Sequence, residues 1–409
     1  MDDLVNLLLT EMRDLLDPVN VPWEMECLTL QGEFTLRNGR PARPERLEDC
    51  SASNVLDRWV SFLRSLPTHF PYASHTDIVW VRASGLALST MVKITEGSFK
   101  IGDKSLYTKS WAPENGAPKA KLIFIHGYSD HVNRYYGFFP ALAARGIAVH
   151  GFDQRGWGRS VTKPEERGLT GPTAQVLADV AAFLAPHLPA GPADPPVFVM
   201  GHSMGGGEAL TLAADPAYAG AARRVRGWLL ESPFVAFAPE QAPSPLSVLA
   251  GRLAGRLLPR RRLRSEVPAE NCTRDAAVAQ SIREDALCHQ TGTLEGLAGL
   301  LDRTAALTSR TVKLRGDVVR SVWFGHGTED KVTHFESSKR FYDECTLDVP
   351  DRTFRVYEGW YHQLHADGKD SEIFYQEVGD WILARVGDDR KVKAQVRDGR
   401  DGAKAEAKL

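Results

Sequence analysis

Residues 197–205 read VFVMGHSMG, an apolar run of four residues that leads into a serine with glycine two positions away on each side. The next residues, 206–214, read GGEALTLAA and are predicted to form a helix. Flanking glycines allow a serine to occupy a sharp, strained turn between a strand and a helix, where larger neighbours would clash. The glycine pattern alone is weak, because glycine-rich turns are common. Its position between a predicted strand and a predicted helix makes Ser203 a candidate nucleophile.

From about Met91 onward, strand-like and helix-like segments alternate along the chain. Such alternation predicts a mostly parallel sheet that is flanked by helices on both faces. The predicted strands are 98–101, 105–110, 121–125, 147–153, 197–200, 227–231, 320–325 and 353–358. The predicted helices are 135–145, 172–185, 204–214, 334–344 and 371–385. Together with the serine turn, this order predicts an α/β-hydrolase fold.

The alternation stops between Ser232 and about Val318, where the chain becomes rich in Ala, Leu, Pro and Arg. Because this stretch follows the sixth core strand, we expect it to form a helical cap over the site, at about 232–318. The cap is expected to be mobile and to have an apolar inner face. That face would be supplied by Leu246, Val248, Leu249, Leu253, Leu257 and Leu258.

The hydrolase domain is predicted to span 91–386, with an extension on either side. Residues 1–90 carry leucines on one helical face between Leu4 and Leu16 and then show no clear periodicity. We expect this extension to be poorly ordered and dispensable, unless the leucine face docks on the core or on a membrane. Residues 387–409 form a charged tail with almost no apolar residues, which is typical of disorder.

Composition excludes several function classes. The 409 residues carry a formal net charge of −2, so nothing in the overall charge favours nucleic-acid binding. Five cysteines without C-x-x-C spacing indicate reduced thiols and a cytoplasmic protein. No apolar stretch reaches the length of a membrane span, so any membrane contact should be peripheral. The basic run 260–264 indicates a solvated face or, less often, attraction to anionic lipid. The sequence predicts no oligomeric state.

A serine hydroxyl needs a nearby base, and the base needs a carboxylate that fixes its tautomer. In α/β-hydrolases the acid and then the histidine follow the serine along the chain. Asp330 comes directly after a predicted strand, with Glu329 as the rival acid. His362 follows the last predicted strand, with His365 as the rival base. The order predicts a catalytic triad of Ser203, Asp330 and His362.

The oxyanion of the reaction needs donors that are fixed where the charge develops. We expect two backbone N–H groups to be these donors. One belongs to Met204, the residue after the nucleophile, and the other to Tyr128, in the loop after strand 121–125. His126 is predicted to brace this loop. Histidine pairs at 126/131 and 362/365 lack carboxylate or cysteine partners at ligand spacing, so neither a metal nor a cofactor is expected.

Several motifs together resemble the monoacylglycerol lipase family in its fungal form. They are HGYSDH at 126–131, FDQRGWGRS at 152–160, TRD at 273–275, DALCH at 285–289, YEGWYH at 357–362 and the turn around Ser203. The likeness covers Met91 to about Val386. It departs from the family at Ala286, where proline is usual, and at Thr333, where cysteine is frequent, which affects the expected shape of the cap and the acyl preference.

The resemblance implies a serine ester hydrolase that cleaves monoacylglycerols to fatty acid and glycerol through an acyl-enzyme. It also implies that Asp130, Arg134 and His365 contact the glycerol hydroxyls, although these charged residues could instead pair with one another. The expected partners are a lipid ester and the surface of a membrane or lipid droplet. The alternatives are a lysophospholipase, a general carboxylesterase or thioesterase with the same triad, and a non-catalytic binding protein on the same fold.

Overall fold

The computed structural model describes residues 24–28, 33–37 and 92–387. The chain divides into two compact units, residues 1–75 and 76–409. In the first unit, strands β1 (Glu24–Leu28) and β2 (Glu33–Arg37) pair in antiparallel fashion. This pair was not predicted from the sequence. The leucine face at 4–16, the rest of the predicted extension and the predicted disordered tail from 388 onward lie outside the described residues.

The second unit is built on a large mixed sheet. Its strands are β3 (Val92–Ile101), β4 (Lys104–Pro113), β5 (Ala120–Ile125), β6 (Ile147–Phe152), β7 (Val197–His202), β8 (Val225–Glu231), β9 (Arg262–Arg264), β10 (Thr291–Thr293), β11 (Ser321–Gly327) and β12 (Asp351–Tyr357). All but β9 and β10 form one sheet in the order β12-β11-β8-β7-β5-β6-β4-β3. Strand β4 runs antiparallel to both β3 and β6, and the other neighbours are parallel.

The predicted strands all occur, and most ends lie within two residues of the prediction. The largest difference is β3, which begins at Val92 rather than at residue 98. Most of its side chains are exposed or half-buried, so its first half carries no alternation of apolar and polar residues that would identify it. A tight turn at Gly102 and Asp103 joins β3 to β4, since Ile101 pairs with Lys104.

The helices of this unit are α1 (Phe138–Ala144), α2 (Thr173–Leu184), α3 (Met204–Ala214), α4 (Ala219–Ala222), α5 (Pro245–Leu257), α6 (Ala269–Cys272), α7 (Ala276–Glu284), α8 (Leu294–Thr308), α9 (Phe335–Cys345) and α10 (Ser371–Leu383). The predicted helix at 135–145 begins three residues late, at Phe138. Its start is displaced by a 3-10 turn at Val132–Arg134 and by Tyr136, whose φ of 36° is not helical.

Both faces of the sheet are covered, because successive residues of its central strands point to opposite sides. Ile123, Val199 and Leu230 belong to the core on the side of α2, α3 and α9. Phe124, Met200 and Leu229 belong to the core on the side of α1 and α10. These central strands are therefore fully buried, which fixes the carboxyl ends of β5, β7 and β8 relative to one another.

The segment between β8 and β11 contains α5 to α8 and the antiparallel pair of β9 with β10. The predicted apolar inner face is wrong for its five leucines, whereas its sixth residue, Val248, is half-buried. Leu246, Leu249, Leu253, Leu257 and Leu258 are 57–75 % exposed. The small residues of α5 lie on its other face, where a Cβ at Gly255 would come within 2.9 Å of the Leu294 carbonyl oxygen of α8. Close packing on that side turns the leucines outward.

Candidate active site

Ser203 lies at the junction of β7 and α3, with φ 54° and ψ −118°. Few non-glycine residues adopt a positive φ, so the turn is strained. The glycines on either side permit it. A Cβ at Gly201 would lie 2.3 Å from the Gly205 carbonyl oxygen, and one at Gly205 would lie 2.2 Å from that of Ile125. The side chain of Ser203 therefore stands at the carboxyl edge of the sheet, as the strand-turn-helix pattern predicted.

Asp330 follows β11, and its carboxylate is fully buried. Oδ2 accepts hydrogen bonds from Nδ1 of His362 at 2.8 Å, from Nε2 of His326 at 3.0 Å and from the hydroxyl of Thr333 at 2.7 Å. Oδ1 accepts the backbone N–H groups of Val332 and Thr333. Burial alone would raise the pKa of Asp330, but the charge of His362 and the hydrogen bonds from both histidines hold it well below its ordinary value. The acid is thus ionised.

His362 lines the same cavity as Ser203. Within residues 92–387, no hydrogen bond joins the Ser203 hydroxyl to the His362 ring, so the two groups face one space without a direct bond. Catalytic hydrogen bonds are often long in a free enzyme and tighten with substrate. The rival acid Glu329 is exposed. The rival base His365 does not line the cavity, because its Nδ1 is bound to Glu231 at 2.6 Å.

The loop after β5 passes close to the nucleophile. A Cβ at Gly127 would lie 3.2 Å from the Cβ of Ser203, which brings the backbone of Tyr128 to the cavity. In the described part of the chain, the backbone N–H groups of Tyr128 and Met204 have no hydrogen-bond acceptor. Both are therefore free to bind an oxyanion. His126 braces the loop: its Nε2 accepts the N–H of Gln154, and its Nδ1 donates to the Gly127 carbonyl oxygen.

A cavity of about 350 Å³ opens beside Ser203 and extends between α5 and α8. Most of its wall is apolar, as is suited to an acyl chain. The apolar residues of this wall include Phe234, Phe237, Val248, Leu294, Leu297 and Leu301. Two buried thiols, Cys272 and Cys288, also line it. Burial raises the pKa of Cys272 to about 12, so this thiol is protonated and unreactive at neutral pH.

Of the three residues that the resemblance implies for glycerol, two lie at the cavity. The Asp130 carboxylate accepts a hydrogen bond from the Tyr135 hydroxyl at 2.6 Å, and the Arg134 guanidinium donates one to the Tyr136 hydroxyl at 2.7 Å. The Arg134 guanidinium also lies 3.5 Å from Asp285, in the segment between β8 and β11. The third residue, His365, lies away from the cavity. Its side chain is buried beneath Tyr135 and does not reach the cavity wall.

Sequence reasoning missed two groups with the side chains of a metal site, the first partly buried and the second fully buried. One consists of His131, Asp285 and Cys288, and the other of His202, Glu231 and His365. The first lies next to the guanidinium of Arg134, which opposes a cation there. In each group a histidine nitrogen is already bonded to the carboxylate, at 2.8 and 2.6 Å. Residues this far apart in sequence have no spacing that could have identified them.

Comparison with known proteins agrees with this geometry. A family model described as serine aminopeptidase, S33 (Hydrolase_4) matches residues 116–369. A Schizosaccharomyces pombe protein, provisionally named monoglyceride lipase, is 34 % identical over 292 residues, which cover 71 % of this chain and 74 % of the relative. A protein of Mycolicibacterium smegmatis named monoacylglycerol lipase is 26 % identical over 309 residues, covering 71 % of this chain and 98 % of the relative.

A solved structure shares the fold. The crystal structure of a soluble variant of monoglyceride lipase from Saccharomyces cerevisiae, in complex with a substrate analog, superposes with a TM-score of 0.63 at 19 % identity. It covers 72 % of this chain and 97 % of the solved chain. The predicted mostly parallel sheet with flanking helices is therefore confirmed as an α/β-hydrolase fold.

Proposed function

The chain belongs to the Hydrolase_4 family of serine hydrolases, and from this membership we propose that it cleaves monoacylglycerols to a free fatty acid and glycerol. The observation that carries the proposal is the 2.8 Å hydrogen bond between Asp330 and His362, beside the strained turn of Ser203 and an apolar cavity. Relatives named for monoacylglycerol hydrolysis supply the substrate class.

In the proposed reaction, the Ser203 hydroxyl attacks the ester carbonyl while Nε2 of His362 takes its proton. The ionised Asp330 holds the His362 ring in the required tautomer and stabilises the imidazolium that forms. The backbone N–H groups of Tyr128 and Met204 bind the oxyanion. Nε2 then gives the proton to the leaving glycerol oxygen, and an acyl-serine remains. Water, activated by the same histidine, releases the fatty acid.

The two ends of the substrate would occupy different parts of the site. The apolar wall between α5 and α8 suits the acyl chain, and the polar side chains of Asp130 and Arg134 suit the glycerol hydroxyls. Both side chains are buried, so each would exchange few water contacts for contacts with glycerol. We assign no substrate contact to His365, which is buried behind this part of the wall.

The exposed leucines of α5 support docking on a lipid surface. Leu246, Leu249, Leu253 and Leu257 recur at helical spacing on one face, and the exposed basic run 260–264 follows them. Such a face favours the interface of a membrane or lipid droplet, with added attraction to anionic headgroups. Among the described helices, none is long and apolar enough to cross a bilayer. The unpaired thiols of Cys272, Cys288 and Cys345 support a cytoplasmic location.

A substrate panel tests the proposal. The full chain is assayed on monoacylglycerols, diacylglycerols, lysophospholipids and short nitrophenyl esters, with fluorophosphonate labelling in parallel. We expect the highest kcat/KM on monoacylglycerols. Ser203→Ala should abolish labelling, and Ser247→Ala, at a second serine of the cavity wall, should leave labelling intact. Highest activity on lysophospholipids would make the chain a lysophospholipase. Absence of both labelling and hydrolysis would favour a binding protein on the same fold.

A further inference from the structure

Glu231 is the last residue of β8, and its carboxylate is fully buried next to the site. Burying a carboxylate is costly unless it is hydrogen-bonded and paired. The catalytic steps described above make no use of it. A buried charged group at the carboxyl end of a central strand therefore needs an explanation.

The side chain and the backbone of Glu231 hold two different parts of the site. Oε1 accepts the backbone N–H of His365 at 3.0 Å and Nδ1 of the same residue at 2.6 Å. The backbone carbonyl oxygen of Glu231 accepts the N–H of Ser203 at 3.0 Å. One residue thus connects the turn of the nucleophile to the loop that follows β12.

That loop carries His362, three residues before His365. Two of its other attachments lead to a different part of the fold: the N–H of Gln363 donates to the Cys272 carbonyl oxygen at 2.8 Å, and the Thr273 hydroxyl donates to that of Ala366 at 2.7 Å. Cys272 and Thr273 belong to the segment between β8 and β11, whereas Glu231 belongs to the central sheet. Unlike the bonds to Cys272 and Thr273, the bond to Glu231 therefore links the loop of His362 to the strand beside the nucleophile.

The surroundings of Glu231 keep it ionised. Burial alone would raise the pKa of this carboxyl, but the charges of His365 and His202 and the hydrogen bonds from His365 bring it below its ordinary value. Nδ1 of His202 lies 3.7 Å from the other carboxylate oxygen, Oε2. The ionised carboxylate is an acceptor only, which suits Oε1 to the two N–H donors of His365.

We propose that Glu231 is a positioning residue of the hydrolytic reaction, which fixes the loop of His362 relative to Ser203 through its bonds to His365. The inference rests on the proposed ester hydrolysis but not on the identity of the ester. A misplacement of about 1 Å between reacting groups can cost on the order of 100-fold in rate. Since Glu231 does not line the cavity, its loss should lower kcat and leave KM almost unchanged.

Two substitutions separate position from charge. Glu231→Gln keeps an oxygen at the place of Oε1 and removes the charge, whereas Glu231→Asp keeps the charge and shortens the side chain by one methylene. We expect kcat of Glu231→Gln to stay within about 3-fold of wild type and kcat of Glu231→Asp to fall at least about 10-fold. The exposed Glu358, which follows strand β12, gives the matched control Glu358→Gln.

The assay measures kcat and KM on a nitrophenyl ester, with kcat normalised to the active serines titrated by fluorophosphonate, and melting temperature checks the fold. Unchanged kcat in a folded Glu231→Asp protein overturns the inference, and so do equal losses in both variants. If Glu231→Asp does not fold, His365→Asn, which keeps a donor near Nδ1, is compared with His365→Leu. Equal kcat in that pair overturns the inference, and a loss confined to His365→Leu supports it.

This design keeps the two proposals apart. A wild-type protein that cleaves the nitrophenyl ester but no monoacylglycerol contradicts the proposed substrate and leaves the test of Glu231 valid. A wild-type protein that is neither labelled nor active contradicts the proposed function itself. If the wild type is active and the Glu231 variants keep its kcat, this inference alone is contradicted.

Discussion

Oδ2 of Asp330 accepts a hydrogen bond from Nδ1 of His362 at 2.8 Å, while the adjacent carboxylate, Glu329, is exposed. Asp330→Asn should therefore lower kcat by about 10,000-fold, because an amide favours the wrong histidine tautomer. Glu329→Gln, the matched control, should change kcat less than 2-fold. Steady-state kinetics on a soluble ester measure both. A larger loss in Glu329→Gln would transfer the role of the acid to Glu329.

The close packing of the nucleophile turn gives a prediction on stability. A Cβ at Gly205 would lie 2.2 Å from the carbonyl oxygen of Ile125, which belongs to a central strand and cannot move aside. We expect Gly205→Ala to destabilise the protein by about 1–3 kcal/mol and to reduce activity. At Gly220, which is exposed in α4, an added Cβ meets nothing within 4 Å, so Gly220→Ala should be neutral or slightly stabilising. Thermal unfolding compares the two, and equal stability would contradict the close approach.

The sequence predicted the core of this architecture because its signals are local. The apolar run before Ser203 and the glycines around it lie within nine residues, and α3 has the predicted bounds, Met204–Ala214. Asp330 and His362 could be proposed because each follows a strand, and the carboxyl ends of parallel strands share one edge of the sheet. The structure brings these two side chains into hydrogen-bond contact.

The features that the sequence did not predict depend on contacts between distant segments. Helical spacing identified the leucines of α5 as one face, but it does not say which face of a helix is covered. The close approach of Gly255 to α8 determines which face of α5 is covered. The family resemblance implied a substrate contact for His365, yet Glu231, 134 residues away, binds it in the interior. No pattern within one segment encodes such a pairing.

The exposed leucines lead to a prediction on lipid binding. Changing Leu246, Leu249 and Leu253 together to Gln should lower binding to lipid vesicles at least about 10-fold, because the apolar area available for the interface is lost. Activity on a soluble nitrophenyl ester should stay within about 2-fold, since these side chains point to solvent. Vesicle co-sedimentation and ester kinetics test the two statements. Unchanged sedimentation would show that this face does not dock on lipid.

Gly251 provides a test of the acyl site, because it lines the cavity and an added Cβ would meet nothing within 4 Å. Gly251→Phe should therefore place a ring in the space between α5 and α8. We expect kcat/KM on esters of 16 carbons to fall at least about 10-fold relative to esters of 4 carbons, through loss of apolar contact area. Leu253→Phe, on the exposed face of the same helix, is the control. An unchanged chain-length profile would place the acyl chain elsewhere.

The buried carboxyl group of Glu208, in α3, should make the stability of the protein depend on pH. Burial raises its pKa to about 7 despite the charge of Arg303, whereas an unfolded chain ionises near pH 4.3. Between these values the folded protein binds more protons than the unfolded chain, so this group makes stability fall as pH rises, by at most about 1.4 kcal/mol per pH unit. In Glu208→Gln the slope of unfolding free energy between pH 5 and 7 should be flatter than in wild type. The exposed control Glu284→Gln should keep the wild-type slope, and a Glu208→Gln slope equal to it would show that Glu208 ionises normally.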